Sequence, residues 1–217
     1  MNYLKIALAK GALFEETLGL LDEVGMDVSE LKIDSRKLRL VVDKDKIEYI
    51  LARPFDVPTF IEYGAADLGI VGKDVLMETK KKVFELLDLN YGKCCFVLAA
   101  LRKEKNKVEE SYRYLGQIRV ATKYTNVAED YFTEKGIQTE IIKLHGSVEL
   151  APVVGLAEEI IDLSSTGKTL ADNNLVVLDE IARCSARLIA NHVSYKIKFK
   201  EINGFLDKLK RTKRELR

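Results

Sequence analysis

Short apolar runs of strand length alternate with stretches of helical spacing along most of the chain. The first run is Leu4–Ala9, and residues 13–24 then carry apolar side chains at helical spacing. Later strands are predicted over residues 35–42, 47–52, 67–71, 83–89, 117–121, 139–144, 160–163 and 183–190, with a long helix after residue 190. Strands that alternate with helices form βαβ units, so the pattern predicts an α/β fold with mostly parallel sheets.

The segment 54–74, with its helix, its glycines and the strand A-D-L-G-I, resembles the first lobe of the type II periplasmic-binding-protein fold. That resemblance implies two α/β lobes joined by crossing strands, with the ligand between them. Residues 91–101 would carry the chain into the second lobe, and residues 176–181 would return it. The expected lobes are residues 1–91 with 180–217, and residues 92–179.

A run of hydroxylated residues and glycine follows the strand predicted at residues 160–163. Backbone N–H groups at such a strand-to-helix turn converge on an anion, which predicts a phosphate site. We call this segment the phosphate loop, and it consists of Ser164, Ser165, Thr166, Gly167, Lys168 and Thr169. Asp162 lies just before it, where a carboxylate repels a bare phosphate but accepts hydrogen bonds from sugar hydroxyls. The pattern therefore indicates a ribose 5-phosphate as ligand.

Two other motifs resemble the sequence of this loop. The nucleotide P-loop, G-x-x-x-x-G-K-[ST], has the same end as Gly167, Lys168 and Thr169, but it requires glycine where Asp162 stands. An ordinary turn with Ser165 or Thr166 as helix cap fits the local sequence as well as a phosphate site does. The P-loop is excluded, and the choice between the other two depends on the rest of the chain.

Basic residues follow or begin other predicted strands of the first lobe. Lys10 and Gly11 follow the first strand, Arg53 follows another, and Arg36 lies in the basic start of a third. Open α/β sheets place ligand contacts at the carboxyl ends of their strands, which makes these residues candidate anion contacts. Each of the charges also fits an ordinary solvated surface residue.

Glu149 lies two residues after Ser147, where a helix is predicted to begin. One interpretation is a capping box, in which Ser147 caps the helix and Glu149 supports the cap. The other is a substrate contact. The local sequence leaves both open.

Composition limits the possible functions. The chain of 217 residues has 35 Lys+Arg against 34 Asp+Glu. These charges nearly balance, so the protein has no strong net positive charge that would favour binding to nucleic acid or to an anionic membrane. No apolar stretch approaches the roughly 20 residues of a membrane span, and we expect a cytoplasmic protein. Cys94, Cys95 and Cys184 fit neither a disulfide framework nor metal-ligand spacing, and His145 and His192 are isolated. We expect buried thiols and no metal site built from protein ligands.

Six segments together resemble the ATP phosphoribosyltransferase family of histidine biosynthesis. In chain order they are IALAKG, SRKL, LARPFDVP, YGAADLGIVGKDVL, IIDLSSTGKTL and SARLIAN. The resemblance extends from about Leu4 to Asn191, and the length is similar to that of the short form of the enzyme. It implies that ATP condenses with 5-phosphoribosyl 1-pyrophosphate, with adenine N1 displacing pyrophosphate from the anomeric carbon.

The resemblance also implies partners and a cofactor. Short-form enzymes work with a separate regulatory subunit that resembles histidyl-tRNA synthetase, so a homodimer within a hetero-oligomer is expected. Mg²⁺ is expected to enter with the phosphorylated substrate, through its oxygens and water, because this ion keeps several waters and needs few protein ligands.

The reaction assigns roles to the candidate residues. The phosphate loop would hold the 5-phosphate, and Asp162 would bind the ribose hydroxyls. Arg36, Arg53 and Lys10 would converge on the departing pyrophosphate, because guanidinium groups match phosphate oxygens. Lobe closure would then assemble the site and exclude water.

Two other functions were weighed against this one. A type I phosphoribosyltransferase has a similar loop, but a pair of acidic residues normally precedes it, whereas Ile161 precedes Asp162 here. A solute-binding or sensor domain of the same fold would bind without chemistry. The basic residues and the phosphate loop together favour an enzyme.

Overall fold

The computed structural model describes residues 3–33, 37–104 and 116–215. The chain forms two compact units: unit 1 is Met1–Gly92 with Ser185–Arg217, and unit 2 is Lys93–Cys184. The chain therefore passes between the units twice, after Gly92 and after Cys184.

Unit 1 contains a six-stranded sheet in the order β2-β3-β1-β4-β11-β5. Its strands are β1 (Leu4–Ala9), β2 (Arg39–Val42), β3 (Ile47–Ala52), β4 (Leu68–Gly72), β5 (Phe84–Asp88) and β11 (Ala186–Ala190). Its helices are α1 (Phe14–Glu23), α2 (Val57–Glu62), α3 (Lys73–Thr79), α7 (His192–Ile197) and α8 (Phe199–Glu215), with a 3-10 turn at Pro54–Asp56.

Unit 2 contains a five-stranded sheet in the order β10-β6-β9-β7-β8. Its strands are β6 (Cys94–Leu101), β7 (Ile118–Thr122), β8 (Thr139–Lys143), β9 (Glu159–Ser164) and β10 (Leu175–Cys184). Its helices are α4 (Thr125–Lys135), α5 (Leu150–Val153) and α6 (Lys168–Asp172), with a 3-10 turn at Arg102–Glu104.

Both sheets are mixed. The neighbours β3, β1 and β4 are parallel in unit 1, as are β8, β7 and β9 in unit 2. In unit 1, β2 pairs antiparallel with β3, and β11 pairs antiparallel with β4 and β5. In unit 2, β6 pairs antiparallel with β9 and β10. Four of six strands in unit 1 and four of five in unit 2 still share one direction, so in each unit several carboxyl ends lie at one edge.

The spacing of apolar residues explains the packing of α8 in unit 1. Ile202, Phe205, Leu206 and Leu209 lie at positions i, i+3, i+4 and i+7, so they share one helix face, and all four are buried. They belong to the same core cluster as β1, β3 and β4 side chains. This face holds the carboxyl-terminal helix on the sheet.

Two predicted element boundaries were wrong. Residues 183–190 are not one strand, because β10 stays paired with β6 through Cys184 and β11 begins at Ala186 on the sheet of unit 1. The long helix predicted after residue 190 is divided at Lys198, whose ammonium donates to the buried Asp67 carboxylate at 2.6 Å. The strand predicted over residues 35–42 covers only Arg39–Val42: Lys37 and Leu38 lie before the strand, and residues 35 and 36 lie outside the described residues.

Glu159, at the start of β9, is 3% exposed, and in the described part of the chain its Oε2 atom has no hydrogen-bond partner. Burial, helped by the charge of Glu158, raises its pKa to about 7. The folded protein therefore binds this proton more tightly than the unfolded chain does. Since proton uptake favours the folded state, the contribution of Glu159 to stability falls as pH rises from 4.5 to about 7, and it levels off above that value.

We expect Glu159→Gln to flatten this dependence. Between pH 6 and pH 8 the unsubstituted protein should lose about 1 kcal/mol of unfolding free energy relative to the variant. Urea unfolding at the two pH values measures the difference, and Glu140→Gln, an exposed position on β8, is the control. Equal pH dependence in the unsubstituted protein and Glu159→Gln would show that the pKa of Glu159 is not raised.

Candidate functional site

The phosphate loop follows the carboxyl end of β9, and α6 begins within it at Lys168, as the strand-to-helix pattern predicted. Gly167 has φ +74°, the left-handed conformation that favours glycine. Its N–H donates to Ser164 Oγ at 3.0 Å, and the Lys168 N–H donates to Thr166 Oγ1 at 3.4 Å. The two hydroxyls thus accept from the backbone amides of Gly167 and Lys168 and hold the turn.

Asp162 is half-buried on β9, two residues before the loop. Its Oδ1 accepts the Leu163 N–H at 2.8 Å. Burial raises its pKa to about 6; that hydrogen bond opposes the shift, the charge of Glu149 adds to it and the charge of Lys123 reduces it. The carboxylate is therefore mostly ionised at neutral pH and takes up a proton just below it.

Three segments meet at this edge of unit 2. Lys123 follows β7, residues 144–149 follow β8, and the phosphate loop follows β9. The buried Thr122 joins them, because its hydroxyl donates to the Ile161 carbonyl at 2.7 Å and accepts the Tyr124 N–H at 2.9 Å. The edge thus combines a carboxylate, a lysine and a loop of backbone amides.

The capping-box interpretation of Glu149 was wrong. Ser147 has φ +49°, outside helical geometry, and α5 begins at Leu150 with no side-chain cap bond from Glu149. The Glu149 carboxylate instead lies close enough to raise the pKa of Asp162. The substrate-contact interpretation stays a prediction.

Lys10 and Arg53, two of the residues predicted in unit 1, follow the carboxyl ends of its parallel strands β1 and β3. Parallel pairing places Ala9 opposite Ala52, and the Lys10 N–H donates to the Ala52 carbonyl at 2.8 Å. Lys10 and Arg53 therefore leave adjacent strands side by side, and both are exposed. Within the described residues the Arg53 guanidinium makes no ion pair. Arg36 lies outside the described residues.

Gly11 follows Lys10 with φ +126°, a conformation that glycine adopts readily. A cavity of about 470 Å³ opens beside Lys10, Gly11, Glu15 and Lys32. A larger cavity of about 900 Å³ lies at the opposite edge of unit 1, beside Leu4 and Ile47, where β1 and β3 begin. The smaller cavity thus adjoins Lys10, one of the predicted basic residues.

Sequence reasoning missed two lysines at these edges. Lys73 follows β4 and pairs with Glu85 at 2.6 Å, and Lys123 follows β7 near Asp162. Both come directly after the carboxyl end of a parallel strand, as Lys10 does, so the same positional rule would have found them.

Among the described residues, no group of His, Cys, Asp and Glu is arranged to hold a metal ion. None of the described helices has the length and apolar character needed to cross a membrane.

Comparison with known proteins gives the family. The model of the HisG family, described as ATP phosphoribosyltransferase, matches residues 53–211. The curated ATP phosphoribosyltransferase of Rubrobacter xylanophilus is 51% identical over 206 residues, covering 95% of this chain and 94% of that protein. The one of Alkaliphilus metalliredigens is 47% identical over 209 residues, covering 96% and 97%.

The chain belongs to the ATP phosphoribosyltransferase family. The prediction from the six segments is thereby confirmed, and with it the activity, a pentosyltransferase reaction that is the first step of histidine biosynthesis.

Solved structures agree with this family. The ATP phosphoribosyl transferase (HisG:HisZ) complex from Thermotoga maritima matches with a TM-score of 0.82 and 35% identity, covering 96% of this chain and 98% of that one. An ancestral amino acid-binding protein, AncCDT-1, and the Bordetella pertussis BvgS VFT2 domain match with TM-scores of 0.53 and 0.57 at 14% and 10% identity. These two share the fold alone, and they confirm the predicted two-lobed periplasmic-binding-protein type II fold.

Proposed function

We propose that this ATP phosphoribosyltransferase binds the 5-phosphate of 5-phosphoribosyl 1-pyrophosphate in the phosphate loop. The observation that carries the proposal is the half-buried Asp162, two residues before a glycine-containing loop at the carboxyl edge of parallel strands. Backbone amides suit the phosphate, and the Asp162 carboxylate suits the ribose hydroxyls. Glu149 and Lys123, whose charges shift the pKa of Asp162 in opposite directions after the larger effect of burial, are further candidate contacts.

The reaction joins adenine N1 of ATP to the anomeric carbon as pyrophosphate leaves. A neutral ring nitrogen attacks without a general base, so the enzyme must orient the two substrates and stabilise the leaving group. We assign leaving-group stabilisation to Lys10, Arg53 and Arg36. Lys10 and Arg53 suit it because they extend from adjacent strand ends, and the exposed Arg53 has no competing ion pair among the described residues.

We further propose that Mg²⁺ accompanies the sugar diphosphate, held by its oxygens and by water. When bound, the ion neutralises part of the charge that develops on pyrophosphate. The residues of this chain then act on a substrate that already carries its metal, and Lys10 and Arg53 complete the neutralisation.

We also propose that the chain works in the cytoplasm as a homodimer within a hetero-oligomer. The Thermotoga maritima protein is in a HisG:HisZ complex, which supports a HisZ-type regulatory partner resembling histidyl-tRNA synthetase. Native mass spectrometry of this chain with such a subunit should show a species containing both, and a mixture of separate species would contradict the proposal.

Release of pyrophosphate from ATP and 5-phosphoribosyl 1-pyrophosphate tests the function. We expect release only when both substrates and Mg²⁺ are present, measured with and without the regulatory subunit. Binding of the sugar diphosphate without pyrophosphate release under either condition would instead favour a solute-binding or sensor domain.

The pKa of Asp162 predicts how binding of the sugar diphosphate depends on pH. Protonation removes an acceptor for the ribose hydroxyls, so affinity should fall as pH drops through about 6. One unit below that value about a tenth of the carboxyl groups remain ionised, so the loss at pH 5 should be about tenfold.

Isothermal calorimetry of the unsubstituted protein and of Asp162→Asn from pH 5 to pH 8 measures this loss. Titration of the ligand phosphates changes the affinity of both proteins, whereas titration of residue 162 changes only that of the unsubstituted protein. The difference between the two pH profiles therefore reports the protonation of Asp162. A constant ratio of affinities over the whole range would contradict the assignment.

A further inference from the structure

The three cysteines lie near the two points where the chain passes between the units. Cys94 and Cys95 begin β6, and Cys184 ends β10. In the antiparallel pairing of these strands, Cys184 is opposite Cys94, and Arg183 is opposite Cys95. Cys184 is buried, as the sequence predicted, whereas Cys94 and Cys95 are half-buried. All three are thiols in this structure.

Residues directly opposite each other in an antiparallel pair project from the same face of the sheet. Their Cα atoms are about 4.5 to 5.5 Å apart, within the range of about 4.4 to 6.8 Å found across disulfides. Their Cβ atoms are also about 4.5 to 5.5 Å apart, which is at or just beyond the disulfide limit of about 4.5 Å. Cys94 and Cys184 therefore need only a small approach to bond.

Cys95 differs from its neighbour. Side chains alternate along a strand, so Cys95 projects from the opposite face to Cys94 and Cys184. There it packs against the core cluster that includes Val97, Ala99 and Ile160. Burial raises the pKa of the Cys95 thiol, which lowers its reactivity as a nucleophile at neutral pH.

A bond between Cys94 and Cys184 would join the two ends of unit 2. Unit 2 is Lys93–Cys184, so the loop closed by the bond includes almost the whole unit. It would also tie together the two segments on which the chain enters and leaves the unit. A cross-link that closes a long loop restricts the unfolded chain most strongly.

We propose that Cys94 and Cys184 are a site of reversible oxidation, forming a cross-strand disulfide by exchange with a small-molecule disulfide such as glutathione disulfide. The Cys94 thiolate attacks one sulfur of glutathione disulfide, forming a mixed disulfide and releasing one glutathione thiolate. The Cys184 thiolate then attacks the Cys94 sulfur and releases the second glutathione. Two protein thiols are oxidised to one disulfide, one glutathione disulfide is reduced to two thiols, and the two protons lost by the cysteines pass to the two glutathione thiolates.

The test is to incubate the full chain with excess glutathione disulfide, block the remaining thiols with N-ethylmaleimide, and map the digested products by mass spectrometry. We expect a Cys94–Cys184 linked peptide, a mass decrease of two hydrogens before blocking, and maleimide on Cys95 alone. This mapping uses the unsubstituted protein, so it does not depend on a variant that folds. Three blocked thiols, a Cys94–Cys95 bond or a bond between two chains would each overturn the proposal.

Variants give a second measurement. In urea unfolding, oxidation should raise the midpoint of the unsubstituted protein and of Cys95→Ser, and should leave Cys94→Ser unchanged. Cys184→Ala, which removes the buried cysteine of the pair, should likewise show no change in midpoint on oxidation. A rise in midpoint that depends on Cys95 rather than on Cys94 would overturn the proposal, and dithiothreitol should reverse the expected rise.

Discussion

Arg53→Ala should lower the turnover number about 100-fold while leaving the affinity for 5-phosphoribosyl 1-pyrophosphate within a few-fold of that of the unsubstituted enzyme. The expected loss corresponds to about 3 kcal/mol, the usual cost of removing a donor whose contacts strengthen in the transition state. Arg53 follows β3 directly, is exposed, and makes no ion pair within the described residues, so its charge is available to a leaving group. Steady-state kinetics gives turnover, and calorimetry gives affinity.

Arg102→Ala is the control for this experiment. Arg102 is also an exposed arginine just after a strand. It follows β6, which is antiparallel to β9, so it lies at the edge of unit 2 opposite the phosphate loop. Its removal should leave turnover unchanged. Unchanged turnover in Arg53→Ala would remove Arg53 from the mechanism, and an affinity loss equal to the turnover loss would make it a substrate-binding residue instead.

Gly167→Leu should lower the affinity for the sugar diphosphate by at least about 100-fold. A Cβ at residue 167 meets no atom within 4 Å, so the substitution does not clash with the protein itself. Its effects are the strain of a non-glycine residue at φ +74°, about 1 to 2 kcal/mol, and a side chain projecting from the centre of the loop. The loss of more than two powers of ten should come from the blocked anion site, because a displaced phosphate loses several charge-assisted hydrogen bonds together.

Gly155→Leu separates the two effects. Gly155 has φ +73°, is exposed, and has the same open space around a built Cβ, but it lies before β9 rather than after it. Both variants should lose a similar amount of stability in urea unfolding, and only Gly167→Leu should lose affinity in calorimetry. Normal affinity in Gly167→Leu would show that the phosphate is bound elsewhere.

The phosphate loop shows which features of the site can be predicted from the local sequence. The run from Ile160 to Thr169 predicted a strand, a glycine turn and a helix, and all three are present because each depends on neighbouring residues. The same reasoning failed at Glu149. The sequence predicted a capping box there, but Ser147 has a positive φ and the helix begins only at Leu150. A cap depends on backbone angles that a short motif does not fix.

The strands that contain the cysteines show which features the local sequence could not predict. Their apolar residues predicted strands, but nothing in the run from Arg183 to Ala190 indicated that it changes sheet after Cys184. Nor did the spacing of Cys94 and Cys184, ninety residues apart, indicate that they are paired neighbours. Hydrogen-bond partners distant in sequence decided both.

By itself, the sequence determined the family, through the resemblance of six ordered segments. Its short periodic patterns determined the alternation of strands and helices and the residues that follow each strand. Only the tertiary structure decided which strands are neighbours, how deeply Asp162 and Glu159 are buried, and which lysines reach the same edge. Those properties depend on the dielectric surroundings and the distances that long-range packing creates, so residues far apart in the chain had to come together before their chemistry was defined.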